Sequence, residues 1–109
     1  MKLIKAYIRT NMIDKVVHAL EQAGFTDMTV IDVEAIRQGI DPKDLEYSVE
    51  LAERYMNVAK LEMVLPNAKT KRAKEIILNT GRTGRKGDGL IYISPVDEAI
   101  HIRTGKLSP

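Results

Sequence analysis

The chain contains no cysteine and no tryptophan, and its aromatic residues are one phenylalanine and four tyrosines. Without cysteine there is neither disulfide bonding nor thiolate chemistry. Only His18 and His101 supply imidazole, too few ligands for a structural zinc site. No apolar run approaches the roughly 20 residues that span a bilayer. The opening MKLIKAYIRT places Lys2, Lys5 and Arg9 where a secretory signal needs an unbroken apolar stretch. A cytoplasmic protein without direct membrane insertion is expected.

What is present is ordinary globular composition, 44% hydrophobic and 29% charged over 109 residues, enough for a single compact domain over 1–109. A domain of this size gains from burying further surface in an oligomer. The formal net charge of +2 conceals two opposed blocks. Between 69 and 89 stand Lys69, Lys71, Arg72, Lys74, Arg82, Arg85 and Lys86 against Glu75 and Asp88, whereas the stretch from Asp32 to Arg54 is dominated by carboxylates. A localised positive site beside an acidic projection suits a small anion better than a long nucleic acid.

Periodicity orders the elements. Ile4, Ala6 and Ile8 alternate with Lys5, Tyr7 and Arg9, the pattern of a half-buried strand over Leu3–Arg9. Asn11 is placed to cap the following helix, whose apolar residues Ile13, Val16, Val17 and Leu20 recur at helical spacing until Gly24. Period two returns from Met28 to Arg37 and again from Lys60 to Leu65, where Pro66 ends the ladder. A second helix runs through Ala73, Ile76 and Ile77. LIYIS (90–94) reads as a short buried strand, and Ala99–Arg103 as a last short strand. The resulting fold class is α+β: a ferredoxin-like βαββαβ chain, with an antiparallel sheet and two helices on one face. The segment between strands two and three is too long for a hairpin loop. Asp41-Pro42 reads there as a helix start, with Leu45, Val49, Ala52 and Met56 near helical spacing.

The sharpest chemical feature is TGRTGRKGDG (80–89), whose four glycines let a backbone approach a phosphate and converge its N–H groups as a nest. It lacks the Gly-Lys-Ser/Thr ending of a Walker A loop. It also leads into a strand rather than a helix, unlike a dinucleotide fingerprint. An exposed basic turn accounts for the spacing equally well.

Read together, TGRTGRKGDGLIYISPVDEAIHIRTG, the opening MKLIKAYIRTNMIDKVVHALEQAGFTDMTV and AKLEMVLP closely resemble the PII nitrogen-regulatory proteins. The resemblance weakens between about Glu34 and Val58. It implies a homotrimer with an adenine nucleotide (ADP, AMP or ATP, with Mg2+ possible beside ATP) in clefts between subunits, and no catalysis. By position, Thr29, Glu62 and Val64 would surround the adenine. Gly84, Gly87, Asp88 and Gly89 would hold ribose and phosphates, and Arg103 would reach in from the neighbouring subunit. The long loop, about 37–57, would meet a partner protein such as a transporter or metabolic enzyme, with the glycine loop at 81–89 and a C-terminal strand and loop at 99–106.

Several positions depart from the family pattern. Leu90 stands where a typical member has a phosphate-binding lysine, and His101 where it has an arginine. Both changes remove fixed positive charge and tilt the expectation slightly toward ADP or AMP, although Arg85 and Lys86 are placed to compensate. His101 reads equally as a protonatable group beside a phosphate or as a solvent-facing strand residue. Val58 occupies the position of the lysine that pairs with 2-oxoglutarate in typical members, so that ligand is not expected despite Gln38. Leu51 falls where some members carry a uridylylated tyrosine, and neither Tyr47 nor Tyr55 has the matching context. A nucleotide next to Arg37 and Gln38 would shift the population of loop arrangements toward the one it contacts better.

Readings from other classes are a trimeric module for a metal or small anion and an RNA-binding ferredoxin-like domain. RNA modules stack bases on exposed aromatics, which are scarce here, and no metal-ligand spacing is present. For an enzyme there is no paired nucleophile and base and no cofactor motif.

Overall fold

The computed structural model describes residues 1–32, 58–86 and 88–108. Strand β1 (Lys2–Arg9) leads through a single 3-10 turn (Thr10–Met12) into helix α1 (Ile13–Gln22). Then follow β2 (Thr29–Asp32), β3 (Val58–Leu65), helix α2 (Asn67–Gly81) and β4 (Ile91–Pro95). The sheet order is β2-β3-β1-β4 with every pair antiparallel, the expected βαββαβ arrangement.

The alternation in β1 does what its pattern requires. Ile4 and Ala6 are fully buried and Ile8 nearly so, opposite Met63, Leu61 and Ala59 of β3. Val16 and Leu20 of α1 and Ala73 and Ile77 of α2 close over the same face, forming one continuous core. Burying a side chain of this kind contributes about 1.5–3 kcal/mol. Among the described residues, no helix lies over the other face, which carries Lys5, Tyr7, Lys60, Glu62 and Tyr92.

Helix α1 ends as its glycine predicts. Gly24 adopts φ +93, its N–H donates to the Glu21 carbonyl at 3.0 Å, and the Phe25 N–H reaches the Leu20 carbonyl at 2.9 Å. This double closure satisfies the last carbonyls of the helix and brings Phe25 and Leu20 together in the core.

Three sequence expectations are corrected. Asn11 does not cap α1: it lies inside the 3-10 turn, Met12 occupies the cap position, and no side-chain cap bond forms. The strand at 90–94 is not buried. Among the described residues it pairs, as β4, with β1 alone at the edge of the sheet, leaving Tyr92 and Ile93 exposed. Ala99–Arg103 is not a strand. Gly105, at φ +68, turns the chain back so that its N–H donates to the His101 carbonyl at 2.8 Å and Ser108 reaches Ala99 at 2.7 Å. Only an Ile100–Leu107 bridge remains. The expected helix over 41–56, the continuation of strand two toward Arg37, Leu51, Tyr47 and Tyr55 lie outside the described residues.

Candidate functional site

The pairing of β2 with β3 sets Thr29 directly opposite Glu62, and Val64 follows two residues on, on the same face. Beyond them the 26–28 segment and the C-terminal turn form the walls of a groove of about 510 Å³, reached by Thr29, Glu62, Val64, Ile100 and His101. Three residues expected around an adenine thus share one groove with His101. Glu62 is held by Lys60 at 3.2 Å, which neutralises its charge at the groove wall. His101 is exposed and ties the turn through its backbone, its N–H donating to the Lys106 carbonyl at 2.9 Å. Arg103 is exposed in the same turn and does not line the groove.

The glycine loop lies elsewhere. A second, smaller groove of about 240 Å³ runs between Tyr7, Arg9, Arg82, Asp88 and Gly89. Leu3 borders the first groove and Tyr7 and Arg9 the second, so the two sit toward opposite ends of β1, about 13–20 Å apart along a strand that rises about 3.3 Å per residue. Gly84, Arg85 and Lys86 are exposed and border neither groove. Arg37, Gln38 and Gly87 lie outside the described residues.

Within the loop Asp88 is the organising group. Its carboxylate accepts the Thr83 hydroxyl at 2.6 Å, the Arg9 Nε at 2.8 Å and the N–H groups of Thr83 and Gly84 at 2.9 and 2.8 Å. The Thr83 hydroxyl bond, then Arg9 and the two amides, hold the Asp88 carboxyl well below the usual carboxylate range. Arg9 also donates through Nη2 to the Lys86 carbonyl, tying the loop to the end of β1. Sequence reasoning took Arg9 only for a solvent-facing strand residue. The available signal was Asp88 itself, a single carboxylate among Arg82, Arg85 and Lys86.

Two glycines have different jobs. Gly84 needs its φ of +81 and has open space around it, whereas a Cβ on Gly89 would fall 1.9 Å from the Tyr7 carbonyl oxygen. The smallness of Gly89 therefore lets the loop lie on β1, where the Tyr7 N–H donates to the Leu90 carbonyl at 2.9 Å. At the position of the expected lysine, Val58 is buried and pairs with Arg9 in the β1–β3 register.

The family model for nitrogen regulatory protein P-II matches residues 1–106. The chain belongs to the P-II family. The P-II protein of Rhodobacter capsulatus is 35% identical over 106 residues, covering 97% of this chain and 95% of the relative. The "nitrogen fixation nifHD1 region GlnB-like protein 1" of Methanosarcina barkeri is 38% identical over 108 residues, covering 97% of each. The crystal structure of Arabidopsis thaliana PII bound to citrate superposes with a TM-score of 0.72 at 24% identity, covering 98% of this chain and 84% of that one. That superposition establishes the shared fold. P-II proteins are regulatory, and the chain is a signal-transduction protein of that family.

Proposed function

We propose that the protein is a cytoplasmic adenine-nucleotide sensor. It would assemble as a homotrimer, bind ADP, AMP or ATP in clefts between subunits, and report occupancy to a partner protein such as a transporter or metabolic enzyme through the segment at about 37–57. The observation that carries this reading is the separation of two half-sites. The groove with Thr29, Glu62, Val64 and His101 and the glycine loop with Gly84 and Asp88 lie at opposite ends of β1 in one subunit, and a boundary between subunits is where two such halves can meet.

Uncovered apolar surface supports self-association. Tyr92 and Val64, on the sheet face opposite α1 and α2, are 48% and 39% exposed, and Ile102 in the C-terminal turn is 101% exposed. Tyr7 and Tyr92 meet edge-on, with centroids 6.0 Å apart and planes at 87°. A single sheet face left open in this way is normally packed against another layer. Mg2+ would accompany ATP alone, and buried Val58 supplies no charge for 2-oxoglutarate. Modification by uridylylation is not part of the reading.

Calorimetric titration with ATP, ADP and AMP, with and without Mg2+ and 2-oxoglutarate, tests it. The expected result is saturation at one nucleotide per subunit, unchanged by 2-oxoglutarate and weakened at least about tenfold by Arg103→Ala, the loss of one charge-assisted bond. Absence of binding by all three nucleotides would show that the scaffold serves another ligand or partner binding alone.

A further inference from the structure

We infer that Asp88 is a positioning residue: its carboxylate takes up the Thr83 and Gly84 N–H groups, and with Thr83 and Arg9 it fixes the loop on which a nucleotide's phosphates dock. This rests on the adenine-nucleotide reading for its ligand, but its structural half stands without one.

An ionised carboxylate offers about four lone-pair sites. Here they meet four donors, namely the Thr83 hydroxyl, Arg9 Nε and the N–H groups of Thr83 and Gly84. No acceptor capacity is left for a ribose hydroxyl. The Thr83 and Gly84 N–H groups are likewise committed to the carboxylate and not free for a second anion. The Thr83 hydroxyl in turn accepts the Arg85 N–H at 3.2 Å, and the Asp88 N–H returns to the Arg85 carbonyl at 3.3 Å. One carboxylate thus ties Thr83, Gly84 and Asp88 together, with Arg85 joined through the Thr83 hydroxyl. Arg9 extends the clamp from Asp88 to the Lys86 carbonyl and anchors it to the sheet. The exposed Arg85 and Lys86 side chains project from the stretch that this clamp fixes.

The test uses the full chain carrying Asp88→Asn, Thr83→Val or Thr83→Ser. ADP and adenosine affinities are measured by competition, and amide hydrogen exchange is followed at Thr83 and Gly84 without ligand. Asp88→Asn and Thr83→Val are expected to weaken ADP by about tenfold or more while leaving adenosine within about twofold, since only the phosphate part of the ligand meets the loop. Exchange at both amides should accelerate in these two variants, and Thr83→Ser should retain wild-type behaviour. If Asp88→Asn does not fold, Thr83→Val carries the comparison. Equal weakening of adenosine and ADP would make Asp88 a ribose ligand and overturn the inference, as would unaltered exchange at the two amides. Failure of the unmodified protein to bind any adenine nucleotide would instead sink the functional reading, while the exchange result would still decide the role of Asp88.

Discussion

Gly89→Ala is expected to lift the glycine loop off β1 and to abolish most nucleotide binding. The added Cβ would lie 1.9 Å from the Tyr7 carbonyl oxygen and 2.7 Å from its carbon, and backbone atoms within a paired strand cannot swing aside as a side-chain tip can. The loop must move, giving up the Tyr7–Leu90 backbone bond and straining the Arg9–Asp88 pair. Over-packing of this kind costs about 1–3 kcal/mol, and each kcal/mol lowers the melting temperature of a domain this size by about 4–8 °C. Gly84→Ala is the matching control: it adds no clash and only the left-handed backbone penalty of roughly 1–2 kcal/mol. Thermal melting read beside ADP affinity distinguishes the two. Gly89→Ala should lose both stability and binding, whereas Gly84→Ala should lose less of each. Unchanged melting and binding in Gly89→Ala would show that the loop does not lie on β1 as described.

Restoring positive charge at two positions should produce the largest gain in affinity. Leu90 is 42% exposed beside the loop, and His101 stands at the groove wall. In the proposed cleft these halves come from neighbouring subunits, so a lysine at 90 and an arginine at 101 would approach the same phosphates from two sides. Each new charge-assisted hydrogen bond contributes about 1.5–3 kcal/mol, equivalent to at least about tenfold in affinity. The double variant Leu90→Lys/His101→Arg is therefore expected to bind ATP far more tightly, with a smaller gain for AMP, which has one phosphate to offer. An equal gain for all three nucleotides would place the new charges away from the terminal phosphates.

Much of the architecture was legible in the sequence because it rests on local periodicity. Ile4, Ala6 and Ile8 had to face one side of a strand, and Val16 and Leu20 had to face one side of a helix. Gly24 marked its helix end through a backbone conformation that other residues resist. The misreadings arose where nonlocal pairing decides. LIYIS looks like an interior strand by composition, yet its burial depends on having a neighbour on its far side, and among the described residues β4 has none. The 99–103 stretch alternates like a strand, but the Gly105 turn closes before a ladder can form. Asn11 is a good cap by residue type, but the 3-10 turn moves the helix start beyond it.

The candidate site was legible in its chemistry more than in its geometry. Thr29, Glu62 and Val64 are far apart in the chain and meet through the β2–β3 register and the alternation along β3. Asp88 was expected at a ligand because the resemblance to the PII proteins places it there. Its engagement by Arg9, 79 positions away in sequence, depends on the loop lying against β1, which no local pattern encodes.

Binding of nucleotides at boundaries between subunits can be read by native mass spectrometry of the protein with excess ADP. The expected result is a trimer carrying three nucleotides, with no nucleotide on any residual monomer. A monomer that takes up ADP by itself, or a trimer that takes up none, would contradict it.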